Sequence, residues 1–149
     1  MTVEGLVHKM IEIADGLGSI GKAVFDDLPA VNTDRQKSYP LLLIKTPQSV
    51  ITPFQKMSDE PLYENYNITF YVLTTWTAND KLTVDLEQRY AEVDLIANTF
   101  LRAFLQDTDN EYNLINDKSV TKTRGHHQHS DQLVGVSYNF NLRVHNCLN

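Results

Sequence analysis

Three histidines stand close together in the chain, His126, His127 and His129, with Asp131 just beyond them. Side chains of these types hold zinc when several converge on one point. Their spacing fits no established metal motif. In an HExxH helix two ligands share one face and a glutamate supplies a base, whereas these residues fall in the polar run Arg124-Gly125-His126-His127-Gln128-His129-Ser130-Asp131, which reads as a loop. A metal-dependent enzyme built on them is therefore the third of three functional readings. The expectation is no metal and no cofactor, with the histidines serving as a solvated loop or a protein contact.

Other reactive types are placed no better for chemistry. Cys147 has His145 nearby but sits at the end of the chain, where fraying is expected, and no GxSxG turn is present. Gly16-x-Gly18-x-x-Gly21 formally matches a dinucleotide-binding pattern. That fingerprint follows a strand and opens a helix, while these glycines follow a helical pattern and read as its stop. The carboxylate pairs Asp26-Asp27 and Asp59-Glu60 lack an apolar setting that would raise a pKa, so they read as solvated turns. Tyr63, Tyr66, Tyr71 and Trp76 suggest a stacking platform for a ligand, but at strand spacing they fit core and cross-strand packing. No catalytic residues are assigned, and the expectation is not an enzyme.

The elements that position these residues follow from periodicity. Val3, Leu6, Val7, Met10, Ile13, Ala14 and Leu17 recur at helical steps, with Glu4, His8, Lys9, Glu12 and Asp15 opposite. A short strand is expected from Ala23 to Leu28, ended by Pro29, then a polar loop over Asn32 to Ser38. Leu41-Leu42-Leu43-Ile44 reads as a buried strand. Pro47, Pro53 and Pro61 leave room only for a short strand around Val50 and Ile51. Tyr63 to Trp76 alternates, with Tyr66, Ile68, Phe70 and Val72 on one face. Leu86, Tyr90, Val93, Ala97, Phe100, Leu101 and Phe104 form the stripe of a second helix, which Asp80 or Thr83 can cap. A weaker strand is expected over Tyr112 to Lys122. The closing strand is clear, because Val134, Val136, Tyr138, Phe140, Leu142 and Val144 alternate with Gly135, Ser137, Asn139, Asn141 and Arg143. The order predicts a single α+β domain spanning 1–149, an antiparallel or mixed β-sheet packed against two α-helices.

Composition sets the remaining bounds. A hydrophobic content of 42% and a charged content of 21% over 149 residues suit one globular domain with a core of its own. A formal charge of -6 without a basic stripe argues against general nucleic-acid binding. The single cysteine predicts a reducing compartment, and the lack of a signal pattern or a long apolar run predicts a soluble protein with no membrane partner.

Strands as long as 63–76 and 132–145 exceed the common five or six residues, so at least one, or its extension, is expected at an exposed edge. Exposed edges pair with other chains. The proline-punctuated segment and the histidine loop are long enough to reach a neighbouring subunit. Gln48, Pro53, Phe54, Pro61, Arg124, His126, His127 and His129 are the candidate interface residues.

The layout resembles the tail-terminator and tail-completion proteins of tailed bacteriophages and the related adaptor proteins of the neck. The resemblance is carried by the helix Val3–Leu17, the strand ending near Leu28-Pro29, the Tyr39–Ile44 strand, the Tyr66–Leu73 strand, the Leu86–Leu105 helix and the Val134–Leu142 strand. It implies a virion structural protein forming a homo-oligomeric ring, six or twelve copies. Such a ring terminates the tail tube or connects tail to head and portal, with tail-tube, neck or portal-adaptor proteins as partners. It implies assembly in the host cytoplasm and a lumen through which DNA passes without specific binding, a role an acidic chain suits. The alternative is a small ligand-binding domain acting as monomer or dimer, with a pocket lined by Trp76 and the tyrosines.

Overall fold

The computed structural model describes residues 3–25, 39–52, 63–75, 82–107, 112–114, 120–126 and 133–144. In chain order these form α1 (Val3–Leu17), β1 (Lys22–Phe25), β2 (Leu41–Ile44), β3 (Gln48–Thr52), β4 (Tyr63–Thr75), α2 (Leu82–Leu105), β5 (Tyr112–Leu114), β6 (Thr121–His126) and β7 (Leu133–Val144). The fold is α+β, with one mixed seven-stranded sheet and two helices on one of its faces.

The sheet is built around β4 and β7, which pair antiparallel from Glu64↔Val144 to Thr75↔Leu133. On the other side of β4, β2 and β3 lie end to end, β2 against 70–73 and β3 against 63–67. On the other side of β7, β6 pairs with 134–139 and β5 with 142–144. β1 adds to β2 in parallel. The two longest strands are thus the central ones, which corrects the expectation that one of them forms an edge. The reason is backbone satisfaction: a strand of 12 or 13 residues carries a long row of N–H and C=O groups, and only the interior of the sheet pairs both of its sides. Among the described residues, the edges fall instead to the short strands β1, β3, β5 and β6.

Alternation along β4 and β7 then sorts the side chains. Tyr66, Ile68, Phe70 and Val72 face the helices together with Val136, Tyr138, Phe140 and Leu142, and all are buried. From the helices come Leu6, Val7, Met10 and Ala14 of α1 and Val93, Ala97, Phe100 and Phe104 of α2. Aromatic rings lock this layer. Phe100 stands edge-on to Phe70 at 5.0 Å and stacks on Phe104 at 6.3 Å, while Phe140 touches both Phe70 and Phe104. Such geometries add about 0.5–1.5 kcal/mol per pair beyond area burial. A half-buried ion pair, Lys9 to Asp107 at 3.1 Å, ties α1 to the end of α2.

Local signals account for the helix ends. α1 stops at Leu17 because Gly18 takes the left-handed conformation, φ 69°, which a side chain resists. The glycine cluster is therefore a helix stop followed by a strand, with no dinucleotide-binding context. Thr83 lies inside the first turn of α2, so it is not the cap, and Asp80 falls outside the described residues. The expected strand Tyr112 to Lys122 divides in two, β5 and β6. The expected loop 124–131 is also corrected: Arg124, Gly125 and His126 belong to β6, where they continue the ladder with Val136, Gly135 and Val134. β1 ends at Phe25, and residues 26–38, including the expected loop from Asn32, lie outside the described residues.

Candidate interaction surfaces

Cations recur at every second residue of β6, Lys122 and Arg124, and a strand puts such residues on one face. Opposite Tyr138 and Val136, that face is the helix side. There both cations meet Asp94 of α2: Lys122 Nζ lies 3.1 Å from one carboxylate oxygen, and Arg124 donates to the other from Nε at 3.1 Å and from its terminal nitrogen at 2.9 Å. Lys122 also lies over the Tyr138 ring, 5.4 Å from its centre, and the Tyr138 hydroxyl hydrogen-bonds Asn98 of α2. Together these contacts fasten the β6 edge to the helix above it.

The electrostatics of this cluster are structural. Burial pushes the Asp94 carboxyl up, but the hydrogen bonds and charges of Arg124 and Lys122 more than offset it and hold the group below the usual aspartate range. Arg124 is held above its ordinary value by the same bond. Burial raises the Tyr90 phenol, and the Arg124 charge tempers the effect. A carboxylate stabilised in its ionised form by two cations is poorly matched to proton transfer near neutral pH. Neither Asp94 nor Lys122 was singled out by sequence periodicity. The available signal was the i, i+2 pair of cations beside a strand; their partner, 28 residues or more upstream, becomes visible only once α2 crosses β6.

The opposite end of the sheet has a different character. Phe25 closes β1 with 43% of its surface exposed, and with Val7 and Ile11 of α1 it lines an open groove of about 490 Å³. Glu4 and His8 form the rim; they approach each other at 3.6 Å and are both well exposed. The outer face of α1 is acidic, since Glu4, Glu12 and Asp15 are all exposed.

The sheet face away from the helices has two halves. At one end Leu41, Leu43, Leu73 and Leu133 are buried together, with Val24, Tyr39 and Tyr71 packed against them. Gly135 makes this packing feasible: a β-carbon there would lie 2.4 Å from a Leu73 methyl and 2.8 Å from the Val72 carbonyl oxygen. A cleft of about 150 Å³ opens beside it, floored by Leu73, Gly125 and Gly135. At the other end amides replace leucines. Asn67 donates to Asn141 at 2.9 Å and to Asn139 at 3.3 Å, and Asn139 donates back to Asn67 at 2.9 Å and to Thr69 at 2.8 Å.

The residues singled out from sequence are not brought to one place. Gln48 is exposed at the start of β3 and lines a polar recess with Lys45, Thr46, Asn67 and Thr69. Arg124 and His126 lie on β6, across β4 and β7 from Gln48. Pro53, Phe54, Pro61, His127 and His129 lie outside the described residues, as do Asp26, Asp27, Asp59, Glu60, Trp76, Asp131, His145 and Cys147. Among the described residues no group of three His, Cys, Asp or Glu is placed to hold a metal ion. No described helix is long and apolar enough to cross a membrane. Tyr66 and Tyr71 point to opposite faces, Tyr66 into the helix-side core and Tyr71 toward the leucine cluster, so the two cannot share one stacking platform. No protein-family model matches the chain, and no curated protein sequence matches it significantly.

Proposed function

We propose that this chain is a structural virion protein that assembles with copies of itself into a ring at the tail or neck of a tailed bacteriophage. The ring terminates the tail tube or joins the tail to the head and portal, and leaves a channel for DNA. The observation that carries the reading is the pair of unlike edges at the two ends of the described sheet: β6, with Lys122 and Arg124 gathered around Asp94 on its helix face, and β1, ending in the exposed Phe25 beside the acidic face of α1. Two different complementary patches on one subunit make head-to-tail contacts, and such contacts close into rings when the rotation permits. The resemblance in the order of elements supports the same reading, as does the acidic charge of -6, which repels DNA from the wall of a channel. The chain works by assembly, without catalysis, cofactor or metal. Its partners are its own copies, six or twelve to a ring, and tail-tube, neck or portal-adaptor proteins.

The alternative, a ligand-binding domain acting as monomer or dimer, draws on the cleft beside Gly135. At about 150 Å³ that cleft is smaller than the roughly 300–1,000 Å³ of ordinary ligand sites, whereas the open groove beside Phe25, about 490 Å³, falls within that range. Light scattering across a concentration series, with negative-stain imaging of the large species, tests the proposal. Closed rings with a central hole are the expected result. A protein that stays monomeric at the highest concentration transfers the weight to ligand binding.

A further inference from the structure

We propose that β1 and α1 of one copy receive the β6 edge of the next, in an antiparallel strand pairing that seats Arg124 against Phe25 and Glu4. The inference rests on the ring reading above and specifies its interface and partner, a second copy of this chain. Strand direction is the first argument. β1 runs parallel to β2, and β2, β4, β7 and β6 alternate, so β6 runs opposite to β1. Rotation about a ring axis preserves the direction of strands lying along that axis. The β6 strand of one subunit therefore meets β1 of the next antiparallel, and the sheet continues from copy to copy with its helices on one side.

Face and charge agree with that register. With the helices on one side, β6 brings Lys122 and Arg124 to the same face as Phe25 of β1 and the neighbouring groove on α1. Arg124 stays half-exposed, 51%, although it is paired with Asp94, which leaves part of its side chain for contact with a ring of the next copy. Glu4, 86% exposed at the rim of the groove, supplies a carboxylate. The competing arrangement, two β6 edges paired about a two-fold axis with their helices on one side, sets Lys122 and Arg124 against their own copies. Like charges directly opposite destabilise a strand pair. A repulsive two-fold contact and an attractive head-to-tail one favour closed rings over dimers.

The test uses the full-length chain with Cys147→Ser, into which Phe25→Cys and Arg124→Cys are introduced together. Mild oxidation is expected to give a ladder of covalent multimers on a non-reducing gel, rising to the ring number, whereas either single variant stops at or below a dimer. A second variant, Phe25→Asp, avoids the Asp94 pair; it is expected to weaken association at least tenfold by light scattering, with an unchanged circular dichroism spectrum. Wild-type rings combined with no ladder and an unaffected Phe25→Asp variant overturn this interface and leave the ring reading standing. A wild-type protein that stays monomeric, with no ladder from the cysteine pair, overturns both.

Discussion

The two faces of the sheet solve the burial problem differently. On the helix side, every second residue of β4 and β7 is apolar along the length covered by α1 and α2, and the layer closes on an aromatic cluster from three elements. On the other side the same two strands carry leucines at one end and an amide network at the other. Burial through packing scales with the area covered and tolerates little change of shape, because the interior is close-packed. Burial through hydrogen bonds demands partners for each polar group and contributes less per residue. The helix face therefore holds the fold together.

Substitutions on the two sides sharpen that contrast. The largest effect belongs to the aromatic layer: Phe100→Ala, which removes the ring between Phe70 and Phe104, is expected to cost about 3–5 kcal/mol in chemical denaturation. Gly135→Ala comes next, at about 1–3 kcal/mol, because the new methyl meets a backbone carbonyl as well as the Leu73 side chain, and the carbonyl cannot rotate away. A Leu73→Ala replacement made together with it should recover only part of the loss, which separates the side-chain clash from the backbone one.

Smaller effects are expected at the edge and in the amide network. Asp94→Asn should cost about 1 kcal/mol at neutral pH, since the pair it breaks is partly exposed and screened by solvent. The carboxyl is held below its ordinary value, so its contribution is full above the unfolded aspartate pKa of about 3.9 and disappears as the pH falls through the lower folded value. Melting curves of wild type and Asp94→Asn should accordingly differ at pH 7 and converge below that range; a gap that persists in acid would assign the residue a role other than its charge. Asn67→Ala should cost about 1 kcal/mol, the net value of hydrogen bonds whose other partners can turn to water. If it costs as much as Phe100→Ala, the contrast between the faces is wrong.

Much of this architecture is legible in the chain read alone, and the reason is local. The helical stripe of α1, the alternation of β4 and β7, and the glycine that ends α1 each depend on neighbours a few residues away, so spacing reveals them. β4 begins at the expected Tyr63 and runs through Thr75, and Trp76 lies outside the described residues. Where turn residues and periodicity compete, reading is poorer. The histidine segment is polar enough to read as a loop, yet its first three residues complete a strand because β7 offers them a ladder. Residues of the candidate site fared similarly. Gln48 is exposed on β3, while Arg124 is engaged by Asp94, a contact that no local period encodes, and Asp94 itself lies on the flank of an apolar stripe.

The sequence by itself determined which side chains must be buried, since apolar residues at helical or strand period have one way to leave water together. It also determined that the chain forms a mixed layer of helices and sheet. Only the tertiary structure decided which strands lie at the edges. That choice depends on the pairing of segments as far apart as Glu64 and Val144, which no local period encodes. It likewise decided that Lys122 and Arg124 share Asp94, and that Phe25 and Glu4 lie at one end of the sheet with that cluster at the other. Charge and exposure acquire a direction only when the backbone sets two distant strands at opposite ends of the same sheet.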